Sequence, residues 1–366
     1  MMKVLVIVTA HFGYDGISNV ATNYYLYQNH KKVQMDLLTI NEIPTFLKQE
    51  MAKNGDRHYI LNFRNSNPLK YIINLSRLIK ANQYDVVHIH GNSNTMAVDL
   101  CAALFAGCKT RIAHCHTTKS DHPFINRLLR PLFKRVYTDA FACSVEAGEW
   151  LFRKGEATII ANGIDLQRFT LNEAFRTQYK KELGLENRLV IGHVGRFSAE
   201  KNHQKLLSIY DAVRQVNPNV TLLMWGDGEL LEEVREQAKR MGGDIRLMGT
   251  SHEIEKCLHA IDVIVFPSLY EGLPLILIEA QAIGIPCLLS NTVPPMAQIT
   301  PAVYYTDLHA SDQEWANETM RIASLSKVED NARTSHALIR AAGYDIRMKA
   351  DQLLDIYNQL IQKNHG

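Results

Sequence analysis

Residues 266–286 are Phe266-Pro-Ser-Leu-Tyr-Glu-Gly-Leu-Pro-Leu-Ile-Leu-Ile-Glu-Ala-Gln-Ala-Ile-Gly-Ile-Pro286. More than any other part of the chain, they indicate which fold and which chemistry to expect. A short apolar run from Asp262 to Phe266 leads into this stretch and predicts a buried strand. Pro267 and Gly272 follow and predict a turn, because these residue types interrupt regular structure.

A helix is predicted directly after this turn. Pro274 suits the first turn of a helix, where a residue without an N–H loses no hydrogen bond. The apolar residues continue to about Ile283, and Gly284 predicts the end of the helix. Glu271 then lies in the loop, and Glu279 lies inside the helix, eight residues later.

The start of this helix is suited to binding an anion. Free N–H groups at Leu275 and Ile276, together with the partial positive charge of a helix N-terminus, favour a diphosphate. Glu271 and Glu279 are placed to hold hydroxyl groups of whatever is attached to that diphosphate. The predicted ligand is therefore a nucleotide sugar, which carries a polyol at each end.

Both acids also have a simpler explanation, in which a strand, a turn and a core helix carry incidental carboxylates. That explanation is the better one for Glu271 taken alone. Glu279 stands among leucine, isoleucine and alanine side chains, and a carboxylate in such surroundings needs a partner or a ligand.

A second stretch, Gly195-Arg-Phe-Ser-Ala-Glu-Lys-Asn202, supplies two cations. It leaves a predicted strand, Leu189–Val194, and enters a predicted helix. Arg196 and Lys201 can converge on one diphosphate, since arginine binds bidentately and lysine adds a point charge. Gly226-Asp-Gly-Glu229, after the next strand, is interpreted as a plain turn.

The two stretches together resemble the donor site of glycosyltransferase family 4. Ser-x-x-Glu-Gly-x-Pro, with a second Glu eight residues after the first, is the family's pattern, and Gly-Arg…Lys precedes it by about seventy residues. The resemblance is strong from about 190 to 295 and looser over the N-terminal half. It implies a retaining enzyme of the GT-B class.

The fold class that follows is α/β: GT-B, with two doubly wound Rossmann-like domains facing a central cleft. Alternation of short apolar runs with helical patterns along the chain agrees with this. The expected domains are an N-terminal, acceptor-side Rossmann-like domain at 1–168 and a donor domain at 169–343. A C-terminal helix at 344–366 is expected to pack back on the N-terminal domain.

The resemblance also implies roles for individual residues. Glu271 and His116 are the catalytic candidates, with Glu271 stabilising the charge that develops at the anomeric carbon. The donor diphosphate would be bound by Arg196, Lys201, Gly16, Leu275 and Ile276, the ribose and base by Glu279, Met248 and Gly249, and the sugar by Glu271, Gly272, Leu273 and His116.

Two of these candidates lie in the first half of the chain. Gly16 either brings the backbone close to a phosphate or makes a flexible turn; the family usually has two adjacent glycines here, and Asp15 replaces one. His114 and His116 share one face of a predicted strand end. Zinc would need further ligands that the sequence does not reveal, and the resemblance assigns His116 to the sugar and His114 to structure.

A basic amphipathic segment, residues 124–137, allows two interpretations. Its apolar residues at 125, 128, 129, 132, 133 and 136 form one stripe, and four arginines and lysines lie elsewhere on its surface. Such a segment can lie on anionic lipid. The favoured interpretation is a core-packed helix with a solvated basic face.

Composition restricts which partners, cofactors and cellular locations are expected. The 366 residues carry a net charge of +2, which implies no general affinity for polyanions, and no nucleic acid is expected as a partner. Six cysteines without Cys-x-x-Cys, and no Asp-x-Asp, predict neither disulfides nor a metal; no cofactor is expected. The first apolar run is too short for a signal peptide, so the expected location is cytoplasmic. A peripheral position at the inner face of the plasma membrane is left open.

The expected function is transfer of a hexose or N-acetylhexosamine from a nucleoside diphosphate sugar to a saccharide hydroxyl with retention. Arg111-Ile-Ala-His-Cys-His116 and Asn23-Tyr-Tyr25 resemble segments of the bacterial exopolysaccharide and capsule branch. That resemblance implies UDP as the nucleotide and a lipid-linked saccharide as the acceptor. A UDP-sugar epimerase and a non-catalytic nucleotide-sugar-binding partner subunit are the alternatives. The presence of Arg196, Lys201, Glu271 and Glu279 together argues against a non-catalytic partner subunit, which would have lost the donor ligands.

Overall fold

The computed structural model describes residues 1–13, 16–118, 120, 122–251, 253–325 and 327–365. The chain forms two compact units. Unit 1 comprises Met1–Gly163 and Ile346–Gly366, and unit 2 comprises Ile164–Asp345. The first division lies after Gly163, ahead of the predicted boundary at 168, and the C-terminal segment belongs to unit 1.

Unit 1 is built on a seven-stranded sheet in which the paired strands are parallel. The strands are β1 (Met2–Val8), β2 (Val33–Thr39), β3 (His58–Ile60), β4 (Val86–Gly91), β5 (Thr110–Cys115), β6 (Asp139–Ala142) and β7 (Thr158–Ile159). Their order is β3-β2-β1-β4-β5-β6-β7. Residues 4–8 of β1 are all buried, as expected of a central strand covered on both faces.

Helices cover both faces of this sheet. They are α1 (Gly16–Tyr27), α2 (Thr45–Asn54), α3 (Pro68–Asn82), α4 (Ala97–Phe105), α5 (Pro123–Val136), α6 (Val145–Leu151) and, at the end of the chain, α14 (Ile346–His365). In α14, Leu353, Leu354 and Tyr357 are buried in the core that contains Ile17, Val20 and Tyr24 of α1. Gln28 also donates to the carbonyl of Ala350, at 3.1 Å.

Unit 2 repeats this plan with six parallel strands. They are β8 (Leu189–Val194), β9 (Val220–Trp225), β10 (Ile245–Gly249), β11 (Val263–Phe266), β12 (Cys287–Ser290) and β13 (Val303–Thr306), in the order β10-β9-β8-β11-β12-β13. Its helices are α7 (Glu173–Glu182), α8 (His203–Val216), α9 (Leu231–Met241), α10 (Ile254–Leu258), α11 (Leu275–Ile283), α12 (Asp312–Leu325) and α13 (Val328–Ala341).

Two Rossmann-like units of this kind confirm the predicted fold class. In each sheet the strand order reverses next to the first strand of that unit, which is where doubly wound proteins bind ligands. In unit 2 this switch point lies between β8 and β11. The residues that follow these two strands are the two stretches singled out in the sequence.

The predicted helix at 275–283 is confirmed, and its start differs in one detail. Gly284 ends it with φ 96°, a conformation that favours glycine. Pro274 is the N-cap, with extended backbone, rather than a residue of the first turn.

The 124–137 segment packs on the core through only part of its apolar stripe: Phe133 and Val136 belong to the core, and Leu129 packs against it. It forms α5, but only Phe133 and Val136 are buried in that helix. The apolar side chains of Phe124 (78% exposed), Ile125, Leu128 (66%) and Leu132 face solvent. The helix therefore has a wide apolar face, and the core covers only a small part of that face. No described helix is both long and apolar enough to cross a bilayer.

Candidate functional site

The centre of the site in unit 2 is an ion pair between two predicted donor ligands. Lys201 Nζ lies 2.6 Å from Glu271 Oε1, and the two side chains are only 14% and 9% exposed. Lys201 follows β8 and Glu271 follows β11, so the switch point brings together residues 70 positions apart. Lys201 Nζ also lies 4.9 Å from the centre of the Phe266 ring, where the face of the π system attracts a cation.

Backbone hydrogen bonds fix the two loops against each other. The Leu269 N–H donates to the Glu200 carbonyl at 2.8 Å. Asn202, which has φ 54°, donates from Nδ2 to the Pro267 carbonyl at 3.1 Å. Because asparagine tolerates this left-handed conformation, the loop can turn sharply into α8. Lys201 is therefore held by its own loop and not only by its charge.

Arg196 is placed differently from Lys201. Its guanidinium pairs with Glu229, at 3.1 Å between Nη2 and Oε2, and both side chains are more than half exposed. A pair of this kind contributes little to stability and can open for a ligand. The structure brings Arg196 into the same loop as Lys201 but does not bring it against Glu271 or Glu279.

Gly226-Asp-Gly-Glu229 is more than the plain turn predicted from the sequence. A Cβ on Gly226, which has φ 147°, would lie 1.9 Å from the Gly195 carbonyl oxygen. The Phe197 N–H donates to the Asp227 carbonyl at 2.9 Å. The segment thus supports the loop that carries both cations. Glycines directly after β9, beside the cation loop in a doubly wound order, are the signal that could have indicated this.

The backbone predicted to bind an anion is the N-terminus of α11. Its N-cap is Pro274, which offers no side-chain hydrogen bond, and the first N–H groups inside the helix belong to Leu275 and Ile276. The N–H of Leu277 already donates to the Pro274 carbonyl at 3.0 Å. Gly272 precedes this end, and a Cβ there would meet no atom within 4 Å.

Glu279 lies one turn further along α11 and is half-buried. Burial raises the pKa of its carboxyl to about 7, with Arg168 lowering it and Glu255 raising it. Arg168 and Glu255 themselves form an ion pair of 2.6 Å. These two neighbours could not be predicted from the sequence, because they lie on separate segments of the chain.

Met248 and Gly249, the candidates for the base, lie at the end of β10. The Gly249 carbonyl accepts a hydrogen bond from the Gly226 N–H at 2.9 Å, so it is engaged within the protein. Met248 packs against the same apolar core as Leu273, Leu275 and Ile276. Met248, Leu273, Leu275 and Ile276 therefore lie around one apolar cluster, which the sequence alone could not show.

The remaining candidates, Gly16 and His116, belong to unit 1. Gly16 begins α1, and a Cβ there would meet no atom within 4 Å; Asp15 lies outside the described residues. His116 follows β5, is half-buried, and its Nε2 lies 2.9 Å from His90 Nδ1. Burial lowers the pKa of His116 to about 3, so its imidazole is neutral.

Comparison with known proteins assigns this chain to a family. Residues 14–168 match the family described as Glycosyltransferase Family 4, and residues 175–342 match the family described as Glycosyl transferases group 1. EpsF of Bacillus subtilis, which is named as a glycosyltransferase, is 32% identical over 96% of this chain and 95% of its own length. The chain belongs to glycosyltransferase family 4.

Other relatives of this family 4 chain are named for polysaccharide synthesis. CapH of Staphylococcus aureus, a capsular polysaccharide biosynthesis glycosyltransferase, is 25% identical over 82% of this chain and 83% of its own length. An Escherichia coli relative, UDP-Gal:alpha-D-GlcNAc-diphosphoundecaprenol alpha-1,3-galactosyltransferase, is 29% identical over 61% of this chain and 62% of its own.

The fold of this family 4 chain is also found in solved structures. Anabaena HepE in complex with UDP-glucose covers 98% of this chain and 100% of its own, with a TM-score of 0.80 at 18% identity. A likeness at this identity shows the GT-B fold. It assigns no residue of this chain to a ligand.

Replacing Glu279 with glutamine is expected to stabilise the unliganded protein at alkaline pH. Because the folded protein holds a proton at this carboxyl up to about pH 7, against 4.5 for a free glutamate, the ionised form costs stability as pH rises through that window. The glutamine of Glu279→Gln is neutral at every pH, so this variant should have a higher Tm at pH 8. The increase should be roughly 2–4 °C for each kcal/mol gained in the free energy of unfolding. Below about pH 5 the two proteins should melt alike.

Differential scanning calorimetry at pH 5 and pH 8 measures this difference. Glu182→Gln, at an exposed position of α7, is the matched control and should leave the pH dependence unchanged. A Glu279→Gln variant that melts below the unmodified protein at pH 8 would contradict the assignment.

Proposed function

We propose that this glycosyltransferase moves a hexose or N-acetylhexosamine from a UDP-sugar to a hydroxyl of a saccharide acceptor, with retention of the anomeric configuration. The observation that carries the proposal is the Lys201–Glu271 pair, held at the switch point of unit 2 next to α11. A diphosphate attracts the lysine and the helix N-terminus, and the sugar attached to it then lies near the glutamate.

In this proposal Lys201 and Arg196 neutralise the diphosphate as it leaves, so the reaction needs no metal. Lys201 is preorganised, since its loop and the Phe266 ring hold it in the absence of ligand. Arg196 opens its exposed pair with Glu229 and closes on the second phosphate. Leu275 and Ile276 N–H groups complete the contacts, and Glu279 holds the ribose.

Glu271 has two tasks in the proposed mechanism. Without donor it compensates the charge of Lys201 in a largely buried pair. With donor bound, the diphosphate compensates Lys201, and the carboxylate of Glu271 becomes available to hydroxyls of the sugar and to the positive charge that develops at the anomeric carbon. Fixed charges directed at developing charge are worth more in such a site than in water.

The choice of UDP, rather than another nucleotide, is supported by relatives. Anabaena HepE has been solved with UDP and with UDP-glucose, and the E. coli relative is named for UDP-Gal. The same E. coli name specifies a diphosphoundecaprenol-linked sugar as acceptor. We extend this class, a lipid-linked saccharide, to the acceptor of this chain.

Replacing Glu271 with glutamine is expected to lower kcat for transfer by about 10²–10³-fold, because the carboxylate acts on the transition state. Glutamine keeps the size of the side chain, which limits the loss of folding that an uncompensated Lys201 would cause. The measurement is release of UDP from UDP-glucose and UDP-GlcNAc with a lipid-linked saccharide acceptor. Tm is measured for Glu271→Gln and for the control variant Glu182→Gln, to show whether a loss of activity reflects a loss of stability.

A change in kcat of less than about threefold would contradict the role of Glu271. Incubation with UDP-GlcNAc alone separates this function from epimerisation, because an epimerase interconverts the sugar without any acceptor. Net interconversion by the unmodified protein would contradict the proposed transfer.

The exposed face of α5 supports a second element of the proposal, contact with an anionic membrane. Phe124, Ile125, Leu128 and Leu132 expose apolar surface that the core does not cover. Arg127, Arg130, Lys134 and Arg135 lie on the same helix and suit negatively charged headgroups. An enzyme with a lipid-linked acceptor has a use for such a surface at the inner face of the membrane.

Replacing Leu128 with serine is expected to weaken binding to phosphatidylglycerol vesicles about tenfold, since a buried leucine contributes roughly 1.5–3 kcal/mol. Vesicle sedimentation measures the bound fraction. Leu325→Ser is the matched control: Leu325 is 69% exposed on α12 in unit 2, against 66% for Leu128. Equal binding to neutral phosphatidylcholine vesicles, or equal loss in both variants, would contradict membrane contact through α5.

A further inference from the structure

Four histidines lie on one face of the sheet in unit 1. His88 and His90 alternate along β4, His114 is in β5, and His116 follows it. His90 is the register partner of His114. Side chains two residues apart on a strand share a face, so the register stacks the imidazoles of the two strands together.

The sheet brings together further metal ligands that the sequence did not reveal. His114 and His116 alone could not bind a metal ion, for lack of further ligands. In the structure one ring nitrogen from each of His88, His90 and His114 lies within 4.8 Å of the others. The exposed fractions of these three residues are 1%, 2% and 0%.

The nitrogens that face away from the group are already engaged. His88 Nδ1 is 2.6 Å from the Tyr357 hydroxyl of α14, and His90 Nδ1 is 2.9 Å from His116 Nε2. Hydrogen bonds of this sort fix the tautomer of metal-binding histidines and orient their rings. They leave Nε2 of His88 and Nε2 of His90 as the ligand atoms.

The hydrogen bonds among the rings do not satisfy the group by themselves. His88 Nε2 lies 3.0 Å from His114 Nδ1, but His114 Nε2 is buried and has no partner. Among the residues that the structure describes, no hydrogen bond or ion pair joins His88, His90 or His114 to a carboxylate.

We propose that His88, His90 and His114 bind one divalent transition metal ion of the Zn²⁺ class in unit 1. Three imidazoles match the preference of such ions for nitrogen ligands, and Zn–N bonds of about 2.0–2.1 Å place tetrahedral ligand atoms ~3.4 Å apart. His88 Nε2 and His114 Nδ1 lie 3.0 Å apart, and the three ligand atoms lie within 4.8 Å of one another. Modest rotations of the rings would bring them to this spacing, and the ion then replaces the direct His88–His114 hydrogen bond. Burial lowers the pKa of all three, which keeps them in the neutral form that binds metal.

The role of this ion is structural. It joins β4 to β5 and, through Tyr357, to α14, which is the last helix of the chain. Its three ligands are different residues from the cations of the proposed transfer chemistry, Lys201 and Arg196, which lie in unit 2. Loss of the metal is therefore expected to lower stability without abolishing the heat of UDP binding.

The test is to titrate the chelator-treated, full-length protein with Zn²⁺ by calorimetry, and with Co²⁺ by visible absorption. We expect one equivalent of Zn²⁺, a higher Tm, and the intense d–d bands of tetrahedral, nitrogen-bound Co²⁺. His90→Ala and His114→Ala should each weaken binding at least 100-fold. Tyr357→Phe should weaken it about tenfold, as is usual for a group that orients a ligand.

The matched control is His58→Asn. His58 also belongs to the sheet of unit 1, and its Nε2 lies 2.8 Å from Thr39 Oγ1, outside the histidine group. This variant should bind like the unmodified protein. The proposal is overturned if the unmodified protein binds less than about half an equivalent, if Co²⁺ keeps its octahedral spectrum, or if His114→Ala and His58→Asn bind alike. The first two results do not depend on whether any variant folds.

Discussion

Unit 2 depends on the compensation of one largely buried charge. Lys201 sits behind the end of β8 with little access to water, and Glu271 is the carboxylate that balances it at 2.6 Å. Leaving either charge alone in such a place costs several kcal/mol. The pair is thus a structural requirement without ligand, and an incoming diphosphate can take over the role of the glutamate. One interaction thereby links the stability of the unit to its proposed chemistry.

The surrounding backbone is arranged to keep that lysine in position. Gly226 lies against the Gly195 carbonyl, closer than any residue with a side chain could, and Asn202 turns the loop into α8. Arg196, in contrast, is exposed and paired only with Glu229. We interpret this as one fixed cation and one that closes on the ligand. Such a division lets the site be preorganised and still accessible.

Much of this could be predicted from the sequence, because the decisive signals are local. The strand before Phe266 and the helix that ends at Gly284 follow from apolar runs and breakers, and the fold class from their alternation with helices. Contacts between distant segments could not be predicted in the same way. The Arg168–Glu255 pair beside Glu279 and the four stacked histidines depend on strand order and register, which no short window of sequence contains. How much of α5 is exposed could not be predicted either, because an amphipathic stripe indicates a face but not what covers it.

If Lys201 holds the diphosphate of the donor, titration calorimetry with UDP should detect that contact. We expect one UDP bound per chain, with Kd raised at least tenfold by Lys201→Met and restored in part by Lys201→Arg. Uridine, which lacks the diphosphate, should bind the unmodified protein and Lys201→Met with the same affinity. No heat with UDP, or equal affinity for UDP in the unmodified protein and in a folded Lys201→Met variant, would contradict it.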